Sequence, residues 1–347
     1  MDRRALHGVN LTGWLTLESW VTPGLFADSG ALDEPSLIRA VGVERYQEIV
    51  RHHRETFISQ ADFVQIAGRG FNAVRLTVPW YVLGDDGPET GPYVGCIQQV
   101  DNALEWAEDV GLKLLLVLDI NPGRETDDDG LVHGRARFID YRQSALQVIA
   151  TLARRYALRD GFAGIEVADE PLAQVRHGLV LSDGVPMHIL RTYYRDAYEL
   201  IRKEAGEDVV VVLPDADLHH SWRSFMGQRQ YKNVWLDAHL YHYEDKVDAT
   251  GPVGVRKLVA SSRAALKATG RGRLPMMVGK WSGSLPFPDS LMTPEGRIAL
   301  ERVFIAEQIN AFRDCPAWFF QTWKTTSRLI GWDARVALAT FERRMLD

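Results

Sequence analysis

Short apolar runs rich in β-branched residues recur along the chain at 5–11, 71–78, 113–119, 164–169, 208–214, 234–241, 276–282 and 317–323. Most are continuous rather than alternating, as expected of parallel strands buried on both faces. Helical patterns lie between them. Ile97, Val100, Ala103, Leu104, Ala107 and Val110 fall on one helical face, and Gly111 then stands where a helix would end. Ala145, Val148, Ile149, Leu152 and Tyr156 form a second stripe, and Ile189, Leu190, Tyr193, Tyr194, Ala197, Leu200 and Ile201 a third. Thr293-Pro294-Glu295 reads as an N-cap, a first-position proline and a first-turn acid ahead of a helix from Ile298 to Phe312. Weaker helical patterns fit 59–69, 222–230, 253–268 and 335–345.

Eight strand–helix alternations in 347 residues predict an α/β fold, a single (β/α)8 TIM barrel spanning 1–347. The segment 14–58 is then a long first strand-to-helix connection with helical content of its own. A doubly wound open sheet is the competing architecture. Gly8-Val9-Asn10-Leu11-Thr12-Gly13 counts against it, because it lacks the third glycine of a nucleotide-binding turn. No repeat or Pro/Gly/Ser-rich linker divides the chain.

Composition narrows the partners. Lys and Arg number 40 against 46 Asp and Glu, a net charge of −6, which argues against nucleic acid as the main partner. The start, Met1-Asp2-Arg3-Arg4, leads straight into a strand pattern, and no long apolar stretch follows. The expectation is therefore no membrane partner and a cytoplasmic location, or secretion if a leader has been removed. Two cysteines, Cys96 and Cys315, are too few for a disulfide scaffold and are expected to be reduced, buried thiols. No cofactor and no metal is expected.

A barrel of this kind carries its chemistry at the C-terminal strand ends. There the eight runs deliver Asn10, Trp14 and Glu18; Arg75 and Trp80; Asp119 and Asn121; Asp169 and Glu170; Asp215 and Asp217; His239 and Tyr241; Lys280 and Trp281; Trp323 and Lys324. Aromatic faces pack on the C–H faces of sugar rings, and carboxylates and amides hydrogen-bond sugar hydroxyls. This rim predicts a small-molecule carbohydrate ligand.

The sequence resembles glycoside hydrolase family 5, in particular its exo-β-1,3-glucanase-like and cellulase-like members. The likeness is carried in order by Gly8-Val9-Asn10-Leu11-Thr12-Gly13-Trp14-Leu15 with Glu18, Trp20, Thr22-Pro23 and Leu25-Phe26; Glu55-Thr56-Phe57-Ile58 with Asp62-Phe63; and Asn72-Ala73-Val74-Arg75. It continues through Ile165-Glu166 with Asp169-Glu170-Pro171-Leu172, Asp237-x-His239-x-Tyr241, Val278-Gly279-Lys280-Trp281-Ser282 and Trp323-Lys324-Thr325. The resemblance implies a retaining β-glycosidase, with an acid/base glutamate after strand four and a nucleophilic glutamate after strand seven. Glu170 matches the first; the second position holds Lys280. The substrate site is expected to be lined by Glu18, Trp14, Arg75, Asn121, His239, Tyr241 and Trp323; of the tryptophans only Trp323 holds a motif position that supports stacking, and Trp14, Trp80, Trp222, Trp281 and Trp332 are stacking candidates that could equally be core.

Two departures touch the mechanism. Retention needs two carboxyl groups about 5–5.5 Å apart, and an ammonium can neither attack an anomeric carbon nor tolerate the positive charge that develops there. Lys280 should instead pair with Glu170 and hold it ionised, where a general acid must keep its proton. Asp169 stands where the family has an asparagine that donates to the sugar 2-hydroxyl, and Asn121 stands near a family histidine. Catalytic roles are therefore assigned to Glu170, Lys280 and Asp169, and ordinary retaining hydrolysis is placed in doubt.

Several readings remain open. One is a lysine-dependent lyase, aldolase or isomerase acting on a sugar-like or keto substrate. A second is a carbohydrate-binding pseudoenzyme. A third is an inverting glycosidase with Asp119, Asp215 or Asp217 as the distant base. A fourth is an exo-β-glucosidase inactivated by an introduced substitution at 280. Arg75 facing Lys280 sets like charges together unless Asp169, Glu170 or an anionic ligand group intervenes. His239-x-x-His242 is a poor metal pair, because an odd spacing on a strand turns the two side chains apart. Asp127-Asp128-Asp129 reads as a solvated loop.

Overall fold

Runs that are apolar at every position can satisfy their backbone only in the middle of a sheet covered on both sides, and this is where they lie. The computed structural model describes residues 5–87, 91–119, 125–126, 132–133, 138–177, 180–182, 184–222, 224–242, 250–270, 274–286, 291–339 and 341. Eight strands run parallel in chain order: Leu6–Asn10, Ala73–Pro79, Lys113–Asp119, Phe162–Glu166, Val210–Pro214, Val234–Leu240, Met276–Trp281 and Ala317–Phe320. The last pairs with the first, Leu6 opposite Ala317 and Val9 opposite Phe320, and closes the (β/α)8 barrel. Asn121 and the acidic stretch 127–129 lie outside the described residues.

Helices stand between successive strands except between the fifth and sixth, where the described residues hold only the 3-10 turn His219–Trp222, and their ends follow the local chemistry. Thr293 accepts a hydrogen bond from the Gly296 amide at 3.2 Å, and Pro294 opens the helix Pro294–Ala311. Gly111, in the left-handed region at φ 75°, ends the helix Ile97–Asp109. The stripes at 145–156 and 189–201 belong to Phe138–Tyr156 and Met187–Ala205. The described part of 222–230 is turn rather than helix; Met226 adopts a left-handed φ of 50°, which interrupts any helical run. At the C-terminal end only Ala334–Ala337 is helical among the described residues.

The long first connection holds the helices Glu34–Val41 and Val43–Thr56. The second of these grips the segment after strand one. His53 Nε2 lies 2.7 Å from the Gly13 carbonyl, Arg54 donates to the Leu15 carbonyl at 2.8 Å, and Trp14 Nε1 donates to the Arg54 carbonyl at 2.9 Å.

The alternation of strand side chains builds the barrel interior in layers. Ala73, Leu115, Val210, Val212, Trp235, Met277, Ala317 and Phe319 form an apolar layer. Arg75 and Asp237, two residues past Ala73 and Trp235, and Glu166 at the end of strand four turn the interior polar, and all three are buried. Two strands end earlier than their apolar runs. Strand four stops at Glu166, so Asp169 and Glu170 lie in the following turn, and strand eight stops at Phe320, so Trp323 lies beyond it. Cys96 is buried and Cys315 half-buried, both as free thiols. Among the described residues no helix is long and apolar enough to cross a membrane.

Candidate active site

The polar layer is organised around Arg75. Its Nε donates to Glu166 Oε2 at 3.0 Å, one terminal nitrogen donates to Asn10 Oδ1 at 2.9 Å, and the other reaches Asp169 Oδ1 at 3.3 Å and Asp237 Oδ2 at 3.4 Å. Asn10 spends its amide hydrogens on the Gly279, Phe319 and Phe320 carbonyls, tying strands one, seven and eight together. Burial works against the Arg75 charge, but Glu166, Asp169 and Asp237 outweigh it and raise its pKa. Burial pushes the Glu166 carboxyl up, and its Oε1 has no hydrogen-bond partner.

Above this layer lies a second cluster. Lys280 Nζ is 2.9 Å from Asp169 Oδ2 and 3.2 Å from Glu170 Oε1. Strict alternation would turn Lys280 away from the interior, since Met277 already points inward. Register shifts between Ala238 and His239 and between Val278 and Trp281 re-aim the end of the seventh strand. Gly279 is needed for this arrangement: a Cβ there would stand 1.8 Å from Asp237 Oδ2. His239 bridges the two clusters, with Nδ1 2.8 Å from Glu170 Oε1 and Nε2 3.1 Å from Asp237 Oδ2. Glu170 has a φ of 45°, a backbone state non-glycine residues rarely adopt.

The electrostatics follow from these contacts. Burial opposes the Lys280 charge, yet Asp169 and Glu170 raise its pKa above the ordinary lysine value. Burial alone would raise the Asp169 carboxyl, but Lys280 and Arg75 together bring it below the ordinary value. Burial would lower His239; Asp237 and Glu170 instead raise it to about 10. Of the groups that could separate the like charges of Arg75 and Lys280, Asp169 is the one that reaches both. Glu166, Asp169 and His239 bring one potential metal-ligand atom each within 4.8 Å of one another. Arg75 and Lys280 already occupy that ground as cations.

Glu18 and Tyr241 complete the mouth. Trp20 Nε1 donates to Glu18 Oε2 at 2.7 Å. Burial raises the Glu18 carboxyl to about 7, with Lys280 pulling the other way. The half-buried rings of Trp20, Trp332 and Tyr241 form a row, with centroids 5.3 Å and 5.6 Å apart.

Other candidates fall elsewhere. Trp14 is buried and stacks on Trp106 at 6.2 Å. Trp323 is also fully buried; its indole donates to Asp62 and Arg69 lies over its ring. Neither ring offers a face to a ligand here. Trp222 and Trp281 are core residues too. Asp215 is buried and accepts the Asp217 amide, Asp217 is exposed, and Asp119 ends strand three half-buried. His242 turns away from His239, to Ser262 Oγ at 2.7 Å. Glu166 and Asp237, which the list of strand-end residues passed over, are central to the cluster. The period-two alternation from Arg75 and Asn10 inward is the signal that finds them.

Residues 42–286 match the family described as cellulase (glycosyl hydrolase family 5). The chain is 30% identical to a probable glucan 1,3-beta-glucosidase A of Aspergillus fumigatus, over 96% of this chain and 86% of that protein. It is 29% identical to a glucan 1,3-beta-glucosidase of Blumeria graminis, over 94% of this chain and 84% of that one. Among solved structures, rutinosidase from Aspergillus niger superposes with a TM-score of 0.76 at 18% identity, covering 94% of this chain and 92% of that one. Endoglucanase Cel5A from Thermotoga maritima gives 0.57 at 15% identity, covering 98% and 95%. At these identities the structural likeness speaks for the fold.

Proposed function

The chain belongs to glycosyl hydrolase family 5, and from that premise we propose that its barrel mouth binds β-glucosidic carbohydrate while ordinary retaining hydrolysis has been lost. One observation carries this reading: Lys280 Nζ sits 2.9 Å from Asp169 and 3.2 Å from Glu170. A retaining site would present a second carboxylate to the one at Glu170, about 5–5.5 Å away. Here an ammonium takes its place.

Each consequence opposes double displacement. The ammonium has no lone pair for the anomeric carbon, and it repels the oxocarbenium charge of the transition state. Glu170 is held by Lys280 and His239, so it is a hydrogen-bond acceptor rather than a proton donor. The same raised pKa disfavours the lysine-dependent lyase, because a Schiff base needs the free amine. What remains suits binding. Glu18, Glu170 and Asp169 accept hydrogen bonds from hydroxyls, and Trp20, Trp332 and Tyr241 provide aromatic faces. The ligand class is taken from the fungal relatives, which are named as glucan 1,3-beta-glucosidases.

Isothermal titration with methyl β-glucoside and β-1,3-linked gluco-oligosaccharides tests the proposal. Saturable binding is expected, weakened by Glu18→Ala and Tyr241→Ala, with the sugar recovered intact. Failure of the wild type to bind any of these ligands would refute it.

A further inference from the structure

Six side chains at the barrel mouth form a closed ring in which cation and anion alternate. Arg75 reaches Asp169 at 3.3 Å, Asp169 reaches Lys280 at 2.9 Å, and Lys280 reaches Glu170 at 3.2 Å. Glu170 meets His239 at 2.8 Å, His239 meets Asp237 at 3.1 Å, and Asp237 returns to Arg75 at 3.4 Å. Each carboxylate thus has a cation on either side, and each cation has two carboxylates. His239 counts as a cation because both ring nitrogens face carboxylate oxygens, which raise its pKa to about 10 against the pull of burial.

The ring therefore balances its charges, with no anion left over. Two further carboxyls adjoin it. Glu166 bonds Arg75 at 3.0 Å, but it is wholly enclosed and meets no ligand, and burial pushes its pKa well above the ordinary value. Glu18 is half-buried at the mouth, where burial raises it to about 7, so below neutral pH it is mostly protonated.

An uncharged sugar finds hydrogen-bond donors and acceptors here. A sugar with a protonated ring nitrogen finds the same groups under worse terms. The gap between Asp169 and Glu170, where two carboxylates would hold a ligand cation, already contains Lys280 Nζ at ion-pair distance from both. That ammonium repels a second positive charge, and in a pocket walled off from water the repulsion is only weakly screened.

We infer that this closed ring makes the pocket selective for uncharged sugars and closes it to cationic ones, with Lys280 as a built-in occupant of the place a ligand cation would take. The inference rests on the binding function proposed above. It narrows the ligand to sugars without a basic nitrogen at the ring or anomeric position, and it makes Lys280 a specificity residue. Removing the Lys280 charge opens the ring and leaves Asp169 and Glu170 facing one gap, which is then a site for a cation.

The test is isothermal titration at about pH 6 with a matched pair: 1,5-anhydroglucitol, and deoxynojirimycin, which has the same hydroxyls and a protonated nitrogen in place of the ring oxygen. Methyl β-glucoside serves as the reference ligand. The wild type, Lys280→Arg and Lys280→Met are compared, with thermal melts confirming folding. The wild type is expected to bind anhydroglucitol at least about tenfold more tightly than the imino sugar, and Lys280→Arg to keep that order. Lys280→Met is expected to reverse it. A wild type that binds the imino sugar as tightly as anhydroglucitol overturns the inference, whether or not Lys280→Met folds, and saturable binding of methyl β-glucoside then leaves the binding function standing. An unchanged order in folded Lys280→Met overturns it as well, because the selectivity then comes from another group. Absence of wild-type binding to either uncharged ligand overturns both proposals.

Discussion

Replacing Lys280 by glutamate restores the residue type that retention requires, yet the structure predicts that this change alone performs poorly. Lys280 Nζ makes ion pairs at 2.9 Å with Asp169 and 3.2 Å with Glu170. A carboxylate in its place converts both attractions into repulsions. At about 3 Å and an effective dielectric of about 20, each contact changes from roughly 5 kcal/mol favourable to a similar amount unfavourable. Protein relaxation and proton uptake absorb most of this: at about 1.4 kcal/mol per pKa unit, one of the three carboxyls is protonated at neutral pH. Lys280→Glu should therefore melt lower than the wild type and hydrolyse aryl β-glucosides weakly. Lys280→Glu/Asp169→Asn removes one repulsion and supplies an amide donor. It should melt higher than the single variant and exceed its kcat/KM by at least about tenfold, which corresponds to 1.4 kcal/mol of transition-state free energy. Initial rates on an aryl β-glucoside and thermal melts of both variants provide the assay. Equal activity and stability in the single and double variants would refute the charge-coupling argument.

Three further outcomes follow from the same geometry. His239, raised to about 10, binds its proton more tightly folded than unfolded, so its stabilisation is full below about pH 6.5 and is lost as pH rises through about 10. Denaturant midpoints should fall over that window, and His239→Gln should flatten the decline; a wild-type midpoint constant from pH 6.5 to 10 would contradict the assignment. Glu18, raised to about 7 by burial, should appear in carbon-13 NMR as a carboxyl titrating near neutrality and absent in Glu18→Gln. Lys280→Met should move that titration upward, because Lys280 lowers it; a downward move would show that the two groups do not interact as described. Borohydride treatment with carbonyl sugars at pH 6–8 should leave Lys280 unlabelled, and a reduced adduct at that residue would revive the lyase reading.

The barrel was legible because its strands are buried on both faces, and a continuous apolar run is a signal that needs no partner to be read. Arg75, Asp169, Glu170, His239 and Lys280 were legible as strand-end residues, and the structure brings them into one cluster. Two things escaped. Trp14 and Trp323 carry the motif but point into the helix layer, where Trp106 and Asp62 take them up; a motif fixes residue type and not the direction of a ring once the strand has ended. Glu166 and Asp237 escaped for the opposite reason. They lie one layer below the mouth, where alternation places them beside Arg75, and a reading that collects only loop-proximal residues steps over them. The aim of Lys280 was also beyond sequence, because it depends on register shifts between neighbouring strands.

The central claim is that the ammonium at the end of strand seven has replaced the nucleophile. Proton NMR of the wild-type protein with an aryl β-glucoside tests it most directly, because the anomer first released reports the mechanism. The account predicts intact substrate and no glucose above the protein-free control. Steady release of β-glucose, the product of retention, would contradict it.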